Sequence, residues 1–366
     1  RRRLAELLEK KGDLKAAIRE YEMLLKSARK AGGRPKGTIS GLCEHIGYLY
    51  TKTGNDEKAI SYYLRAVKQA PSDANLYYNL SYLYEKRHQR EKADDFLAKA
   101  LRLRREDVQG RLELAERRMA AGRLKAAEQY LKQVLRRDPR SREALILMAR
   151  LREKQGRKKD LRKVYEKVLS LEPGNETVAY NLAGLLYEAG DLTGSLKYFR
   201  RYLKRHPDDG SVHDILFDIY KKTGDEKNAL REARTLMRLK PKEMGPYRYV
   251  FNYWNGRGGY DRLIPVLLKG IKAGPGGTEL REYLVLAYVK TGKEIPAMEQ
   301  MKEILKKKPK DVDLLLSLAR LLEKHGRINE ALARYKQVID LSPDNEEAQE
   351  GYLRLRLKGV QEQGAR

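Results

Sequence analysis

The apolar residues of this chain recur with helical spacing along almost its whole length. Gly47 and Tyr50, for example, are followed by Ala59, Tyr63 and Ala66. Intervals of three, four and seven residues place side chains on one face of a helix. The pattern predicts pairs of short amphipathic helices that pack against each other through small and aromatic residues.

Proline and glycine divide these helices into repeats with a step of 34 residues, as between Pro139 and Pro173. The proline series is Pro71, Pro139, Pro173, Pro207, Pro241, Pro275, Pro309 and Pro343. The glycine series is Gly54, Gly122, Gly156, Gly190, Gly224, Gly258, Gly292 and Gly326. Arg105 stands where one proline is expected, and His88 where one glycine is expected. Because proline cannot continue a helix and glycine suits a helix C-terminus, each repeat is predicted to be a helix-turn-helix.

This repeat resembles the tetratricopeptide repeat (TPR), most closely in the segments ANLYYNLSYLYEKRHQREKADDFLAKAL and VAYNLAGLLYEAGDLTGSLKYFRRYLKRHP. The resemblance implies an all-α fold, a right-handed α-solenoid or superhelix of about ten tandem units. The predicted organisation is a first unit at 1–25, a basic insertion loop at 26–39, nine contiguous units at 40–343, and a capping helix with a tail at 344–366. In the capping helix, Ala348, Tyr352 and Leu353 are expected to be buried.

The resemblance also implies a binding surface, because the first helices of this family line an inner, concave wall. The exposed positions there are the second, fifth, sixth, ninth, twelfth and thirteenth of each unit. We expect a groove for a partner's peptide or helix at Tyr48, Tyr78, Asn79, Tyr82, Tyr180, Asn181, Tyr187, Arg248, Tyr249 and Asn252. Tyrosine offers contact area at small entropic cost, and asparagine can hydrogen bond to a peptide backbone. Alternatively, some of these tyrosines only pack between neighbouring repeats.

Some members of the family clamp acidic C-terminal tails with Lys, Arg and Asn at set inner positions. Arg248, Asn252 and Arg320 fall on such positions in this chain. Tyr283 and Leu316 stand where that clamp has Asn and Lys, and this departure argues against the clamp.

The chain is strongly basic, with 78 Lys and Arg against 51 Asp and Glu and a net charge of +27. The segment from Lys86 to Val168 holds 27 basic and 13 acidic residues, or +14. A basic outer face is predicted at Arg136, Arg137, Arg140, Arg157, Lys158, Lys159, Arg162 and Lys163. The alternative function is therefore a polyanion binder that contacts nucleic acid or an anionic membrane surface. A solvated face that keeps the protein soluble would explain the same charge.

Catalytic motifs are absent from the sequence. The five histidines lie in different repeats without an HExxH pair, and no phosphate-binding GxxxxGK[ST] loop occurs. Cys43 occupies a position usually buried between helices. We therefore expect a non-catalytic protein with no metal, no cofactor and no small-molecule substrate, whose partner is another protein.

The sequence contains no apolar run of 18 residues, so no membrane-spanning helix is predicted. A cytoplasmic location is expected. The chain begins Arg1-Arg2-Arg3 without Met, which suggests that an upstream segment has been removed. A membrane anchor or a plain domain excision would explain this start equally well, so attachment to a membrane-linked assembly stays open.

Overall fold

The computed structural model describes residues 1–30 and 36–364, which form 21 α-helices and no strand. The chain divides into two compact bodies: an N-terminal body, residues 1–185, and a C-terminal body, residues 186–366. The all-helical class predicted from the 34-residue period is confirmed. The right-handed sense of the stack stays a prediction.

The helices of the N-terminal body alternate between first helices, with odd numbers, and second helices, with even numbers. They are α1 (Arg2–Lys10), α2 (Leu14–Lys30), α3 (Lys36–Lys52), α4 (Asp56–Gln69), α5 (Ala74–Lys86), α6 (Arg90–Leu103), α7 (Val108–Ala120), α8 (Leu124–Arg137), α9 (Arg142–Lys154) and α10 (Lys158–Leu171). Helix α11 (Glu176–Glu188) starts in this body and ends in the next.

The C-terminal body continues the same alternation. Its helices are α12 (Leu192–Leu203), α13 (Gly210–Thr223), α14 (Glu226–Leu239), α15 (Met244–Asn255), α16 (Tyr260–Ala273), α17 (Glu279–Lys290), α18 (Glu294–Leu305), α19 (Val312–Lys324), α20 (Ile328–Leu341) and α21 (Glu346–Gly364). Helices that follow each other along the chain, such as α13 and α14, pack together.

A small, fully buried residue lies where the second helix of most pairs crosses the first. These residues are Ala17, Ala59, Ala93, Ala127, Ser195, Ala229, Ala297 and Ala331, all 0% exposed. Gly47 serves the same purpose on a first helix, since a Cβ there would lie 3.1 Å from Cε2 of Tyr63. The absence of long side chains at the crossing lets the helix backbones approach closely and leaves room for aromatic rings beside it.

The helix-to-helix turns have the backbone geometry that the glycine series predicts. All eight glycines of the series have positive φ. His88, which stands where the series lacks a glycine, also has a positive φ, of 58°. This left-handed conformation costs a residue with a Cβ about 1 to 2 kcal/mol, whereas glycine adopts it readily.

In some repeats the carbonyl of the proline that ends the repeat accepts a hydrogen bond from a side chain. The donor is the fourth residue of the next first helix. The hydroxyl of Tyr77 donates to the carbonyl of Pro71 at 3.0 Å, and that of Tyr247 donates to Pro241 at 3.2 Å. In these repeats the contact ties the first helix to the end of the preceding repeat.

Two details differ from the expectation. The loop predicted at 26–39 is largely helical: residues 26–30 belong to α2 and 36–39 to α3, while 31–35 lie outside the described residues. Helix α2 extends because Leu25 and Ala28 continue its buried face.

The capping helix α21 buries a different face from the one predicted. Ala348 is buried and Tyr352 is partly buried, but Leu353 is 60% exposed, so its predicted burial is wrong. Gly351 and Leu355 are buried instead, because intervals of three and four residues from Ala348 follow one helix face. A Cβ at Gly351 would lie 2.6 Å from Cζ of Tyr335, so the missing side chain admits that ring.

We predict that His88→Gly stabilises the N-terminal body by about 1 kcal/mol, because it removes the left-handed strain. His88 is exposed, so little packing is lost. The midpoint of urea denaturation, followed by circular dichroism, measures the gain. The reverse change at the equivalent position, Gly122→His, should lower the midpoint by a similar amount; equal midpoints for both variants and the parent would contradict this account.

Candidate protein-binding surface

The inner-wall positions of α3 and α5 form a shallow hollow of about 230 Å³ in the N-terminal body. It is lined by Glu44, His45 and Tyr48 of α3 and by Asn79 of α5. The predicted residues Tyr48 and Asn79 are therefore brought together. Tyr48 is 42% exposed, and on the following first helix Tyr82 is 61% exposed. These two rings offer aromatic contact area to a ligand.

A second hollow, of about 310 Å³, lies between α7 and α9, which pack directly against each other. Leu112 and Leu147 form its floor and Ile146 is partly exposed within it. Its rim is Gln109, Glu113, Glu116 and Glu143, which are all exposed. An apolar floor with a polar rim is the usual composition of a peptide anchor site.

Sequence reasoning missed this second hollow because it searched for tyrosine and asparagine. Leu112 and Glu113 hold the fifth and sixth positions of their repeat, and Ile146 and Leu147 hold the same positions of the next. The register that selected Tyr78 and Asn79 would have identified all four.

The rim of the second hollow keeps a negative character. Glu113 forms an ion pair with Arg117 at 2.6 Å, and Glu116 lies 3.6 Å from Arg150. Glu143 has no ion-pair partner among residues 1–30 and 36–364. Exposed pairs of this kind contribute little to stability and can be exchanged for a ligand's charges.

Two of the predicted groove tyrosines are engaged in contacts between repeats. The hydroxyl of Tyr78 donates to Asp107, and the guanidinium of Arg104 lies 5.5 Å from its ring centroid. In the C-terminal body, Tyr187 donates to Asp218 at 2.6 Å and Lys222 lies 5.0 Å from its ring centroid. Burial and the bond to Asp107 raise the pKa of Tyr78 above its ordinary value. Both rings therefore stabilise the stack, as the alternative interpretation supposed.

The remaining predicted residues of α11 differ in exposure. Tyr180 is partly buried, whereas Asn181 is exposed. The side chain of Asn181 lies beside the hydroxyl of Tyr165 on α10, the second helix of the preceding repeat.

The positive charge at the predicted groove positions of α15 is neutralised by a carboxylate on the next first helix, α17. The guanidinium of Arg248 donates two hydrogen bonds to Glu279, at 2.7 and 2.8 Å, and these hold the pKa of Glu279 at about 2. Tyr249 packs edge-on against Phe217 with centroids 5.1 Å apart. Asn252 is exposed.

The acidic-tail clamp gains no support from this arrangement. Arg320 also lies 3.2 Å from a carboxylate, that of Glu347. Both arginines would have to leave an internal partner before they could bind a tail.

The eight residues of the predicted basic face are all exposed. Arg157 pairs with Asp160 at 2.7 Å and Arg162 with Glu166 at 2.8 Å, so part of this charge is compensated locally. Arg136 and Arg137 lie on α8 beside a cleft that faces α6. The face is therefore divided between paired side chains and this cleft.

Groups that could carry chemistry are scarce. Within the described ranges no cluster of three or more His, Cys, Asp or Glu side chains could hold a metal ion. Burial raises the pKa of the Cys43 thiol, which disfavours the nucleophilic thiolate. None of the helices described is long and apolar enough to cross a membrane.

His213 is a buried histidine with acceptors on both ring nitrogens. Its Nδ1 lies 2.6 Å from a carboxylate oxygen of Glu232, and its Nε2 lies 2.9 Å from the carbonyl of Pro207. Since both partners only accept, both nitrogens donate and the ring is the imidazolium. The bond to Glu232 raises the pKa of His213 against the opposing effect of burial.

Comparison with known proteins gives a consistent family signal. Models described as tetratricopeptide repeat match residues 118–160, 162–219 and 296–355, residues 40–73 and 74–107, and residues 144–179. No curated protein matches the chain.

Solved structures with the same kind of helical array match at low sequence identity. A chain from the structure of Naa15/Naa10 bound to HypK-THB is 14% identical with a TM-score of 0.50; the match covers 98% of this chain and 65% of that one. The P58(IPK) TPR domain is 17% identical (TM-score 0.27, coverage 88% and 99%). A tetratricopeptide repeat protein from Parabacteroides merdae is 16% identical (TM-score 0.35, coverage 68% and 98%). The first of these likenesses supports the α-solenoid fold.

We predict that the stability supplied by His213 depends on pH. Because its folded pKa is raised, the contribution is fully present below the unfolded value of about 6.5 and is lost as pH rises through the folded pKa. His213→Gln should lower the free energy of unfolding of the C-terminal body by about 1.5 to 3 kcal/mol at pH 5.5, and by less at pH 9. Urea denaturation across this range gives the difference curve. A difference that stays constant with pH would show that the ring is not charged in the fold.

Proposed function

Because the chain belongs to the tetratricopeptide repeat family, we propose that it is a non-catalytic scaffold that binds a peptide or helix of another protein on its inner wall. The observation that carries the proposal is the open apolar floor between α7 and α9, formed by Leu112, Ile146 and Leu147. A floor of this kind gains free energy when a ligand's apolar side chain displaces water from it.

The rim of this hollow favours a ligand with positive charge beside its apolar anchor. Glu113, Glu116 and Glu143 can pair with Lys or Arg of such a ligand. The chain as a whole carries a net charge of +27, which would repel a basic ligand. Salt screens charges that lie more than a Debye length of about 8 Å away, so the carboxylates nearest to the ligand dominate. The exposed ring of Tyr82, on the preceding first helix, provides a further contact.

We also propose that the chain acts as a component of a larger assembly. A partner bound on the inner wall leaves the second helices free for other contacts, as a component of a larger complex requires. Contact of the basic outer face with nucleic acid or a membrane has less support, because Arg157 and Arg162 are already paired.

The test is a selection of 16-residue peptides from a displayed library on the full chain, followed by fluorescence anisotropy with the selected peptides. We expect peptides with an apolar anchor and flanking Lys or Arg. Ile146→Glu places a charge in the hollow at a partly exposed position and should weaken binding about 30-fold, as loss of a hot-spot contact of about 2 kcal/mol does.

Leu103→Glu is the matched control, since Leu103 is 42% exposed on the second helix α6. It should leave the affinity unchanged, and both variants should keep the parent's circular dichroism spectrum. Selected peptides that tolerate Ile146→Glu but are lost with Leu103→Glu would place binding on the second helices and reject the proposal.

A further inference from the structure

A cleft of about 710 Å³ lies between the second helices α6 and α8, away from the inner wall formed by α7 and α9. Five arginines line it: Arg102, Arg105, Arg111, Arg136 and Arg137. No carboxylate is among the lining residues. A cleft of this size is in the range that holds small-molecule ligands, about 300 to 1,000 Å³.

Among the described residues, the five cleft arginines lack an acidic partner, whereas several other basic side chains nearby have one. Elsewhere in the N-terminal body, basic side chains reach carboxylates of the preceding repeat, as Lys86 does with Asp56 at 2.9 Å. Arg137 reaches back in the same way but donates to the carbonyl of Arg105. Throughout the described part of the chain, none of the five cleft arginines forms an ion pair.

Arg111 fixes one of these charges at the base of the cleft. It is only 7% exposed, and its guanidinium donates to the carbonyls of Leu101 at 2.8 Å and Asp107 at 2.7 Å. Its Nε donates to Gln133 at 3.0 Å. Its guanidinium also donates to the carbonyl of Arg104 at 3.2 Å. Because these bonds use four of its five N–H groups, Arg111 supplies the cleft with a fixed, buried positive charge that has no anionic partner among the described residues, which is costly unless a ligand provides one.

Arg105 adds a charge at a position that the fold does not require to be arginine. It replaces the proline that ends the other repeats of the series. Its backbone N–H donates no hydrogen bond to any residue that the structure describes, so proline could stand there without loss. The guanidinium of Arg105 makes no hydrogen bond or ion pair with any residue that the structure describes, so it is available to the cleft.

We propose that this cleft binds a compact ligand with two or three phosphate groups. Arginine forks match phosphate oxygens in bidentate geometry. Phosphate groups carry up to two charges each, so a small ligand can neutralise five guanidiniums within the cleft. An acidic peptide supplies at most one charge per residue over about 3.3 Å of chain, and spreads its charge beyond it. The site is separate from the inner wall and does not depend on the proposed peptide binding.

Isothermal titration calorimetry of the full chain with inorganic tripolyphosphate, at 150 mM salt, tests the proposal. We expect one ligand per chain and an affinity that falls at least tenfold in the double variant Arg105→Pro, Arg136→Gln. The control variant Lys159→Gln, Lys163→Gln removes two charges from exposed sites outside the cleft and should change the affinity less than threefold. Arg105→Pro also restores the usual repeat residue, so the fold should be kept.

Two further titrations identify the source of the phosphates and the limits of the site. Citrate, with three carboxylates, should bind more weakly than tripolyphosphate. Vesicles that contain phosphatidylinositol bisphosphate should bind in a cleft-dependent way only if the phosphates come from a lipid headgroup; binding of free tripolyphosphate alone indicates a soluble ligand. Both results support the site.

Two results would overturn it. One is an affinity for tripolyphosphate that falls equally in the cleft and control variants, since this indicates attraction by net charge alone. The other is single-stranded DNA that binds more tightly than tripolyphosphate and loses affinity in the cleft variant, which would make the cleft part of a nucleic-acid surface. The affinity of the inner wall for the selected peptides should be unchanged in the cleft and control variants. The test of the cleft is therefore independent of the test of peptide binding.

Discussion

Close contact between the two helices of each repeat is the constraint on which the structure depends. It is possible because a residue with a small side chain, such as Ala127 or Ser195, lies at most crossings and is completely buried. A larger group at such a crossing would push the helices apart or force neighbouring side chains out of their rotamers. The aromatic rings beside the crossings then fill the space between one pair and the next. The first helices keep one face uncovered as a result, and the candidate binding surface is that face.

The same periodicity explains how much could be predicted from the sequence. Glycine, proline and small residues act locally, within a turn or across one helix pair, so the helix pairs and the exposure of Tyr48 and Tyr82 follow from their spacing. The partners of Tyr78 and Arg248 could not be derived in this way. Their contacts lie 29 and 31 residues away and depend on which side chain stands at one position of the next repeat.

The differences at the chain's edges have related causes. The segment around 26–39 contains basic residues and glycines typical of a loop. Helix α2 nevertheless extends to Lys30, because Ala28 is buried on the same face as the earlier apolar residues of the helix. In α21 the face that contains Ala348 and Leu355 is buried against the preceding helix pair. Breaks in the repeat pattern were visible in the sequence at His88 and Arg105, but only the coordinates show that one is a strained turn and the other part of an arginine cleft.

A side-chain hydrogen bond to the proline carbonyl connects some repeats to the one before, and its donor differs between them. Tyr77 and Tyr247 bond through a hydroxyl, and burial raises the pKa of Tyr247, so this hydroxyl keeps its proton at neutral pH and beyond. His213 makes the same contact with an imidazole nitrogen, and its bond to Glu232 raises the pKa of this ring. An imidazolium ordinarily loses its proton at lower pH than a phenol does. The junctions of one array therefore respond differently to acidity although they share a backbone. An exchange of tyrosine for histidine at this position would place a proton-sensitive hydrogen bond at a chosen junction without altering the helix pairs on either side.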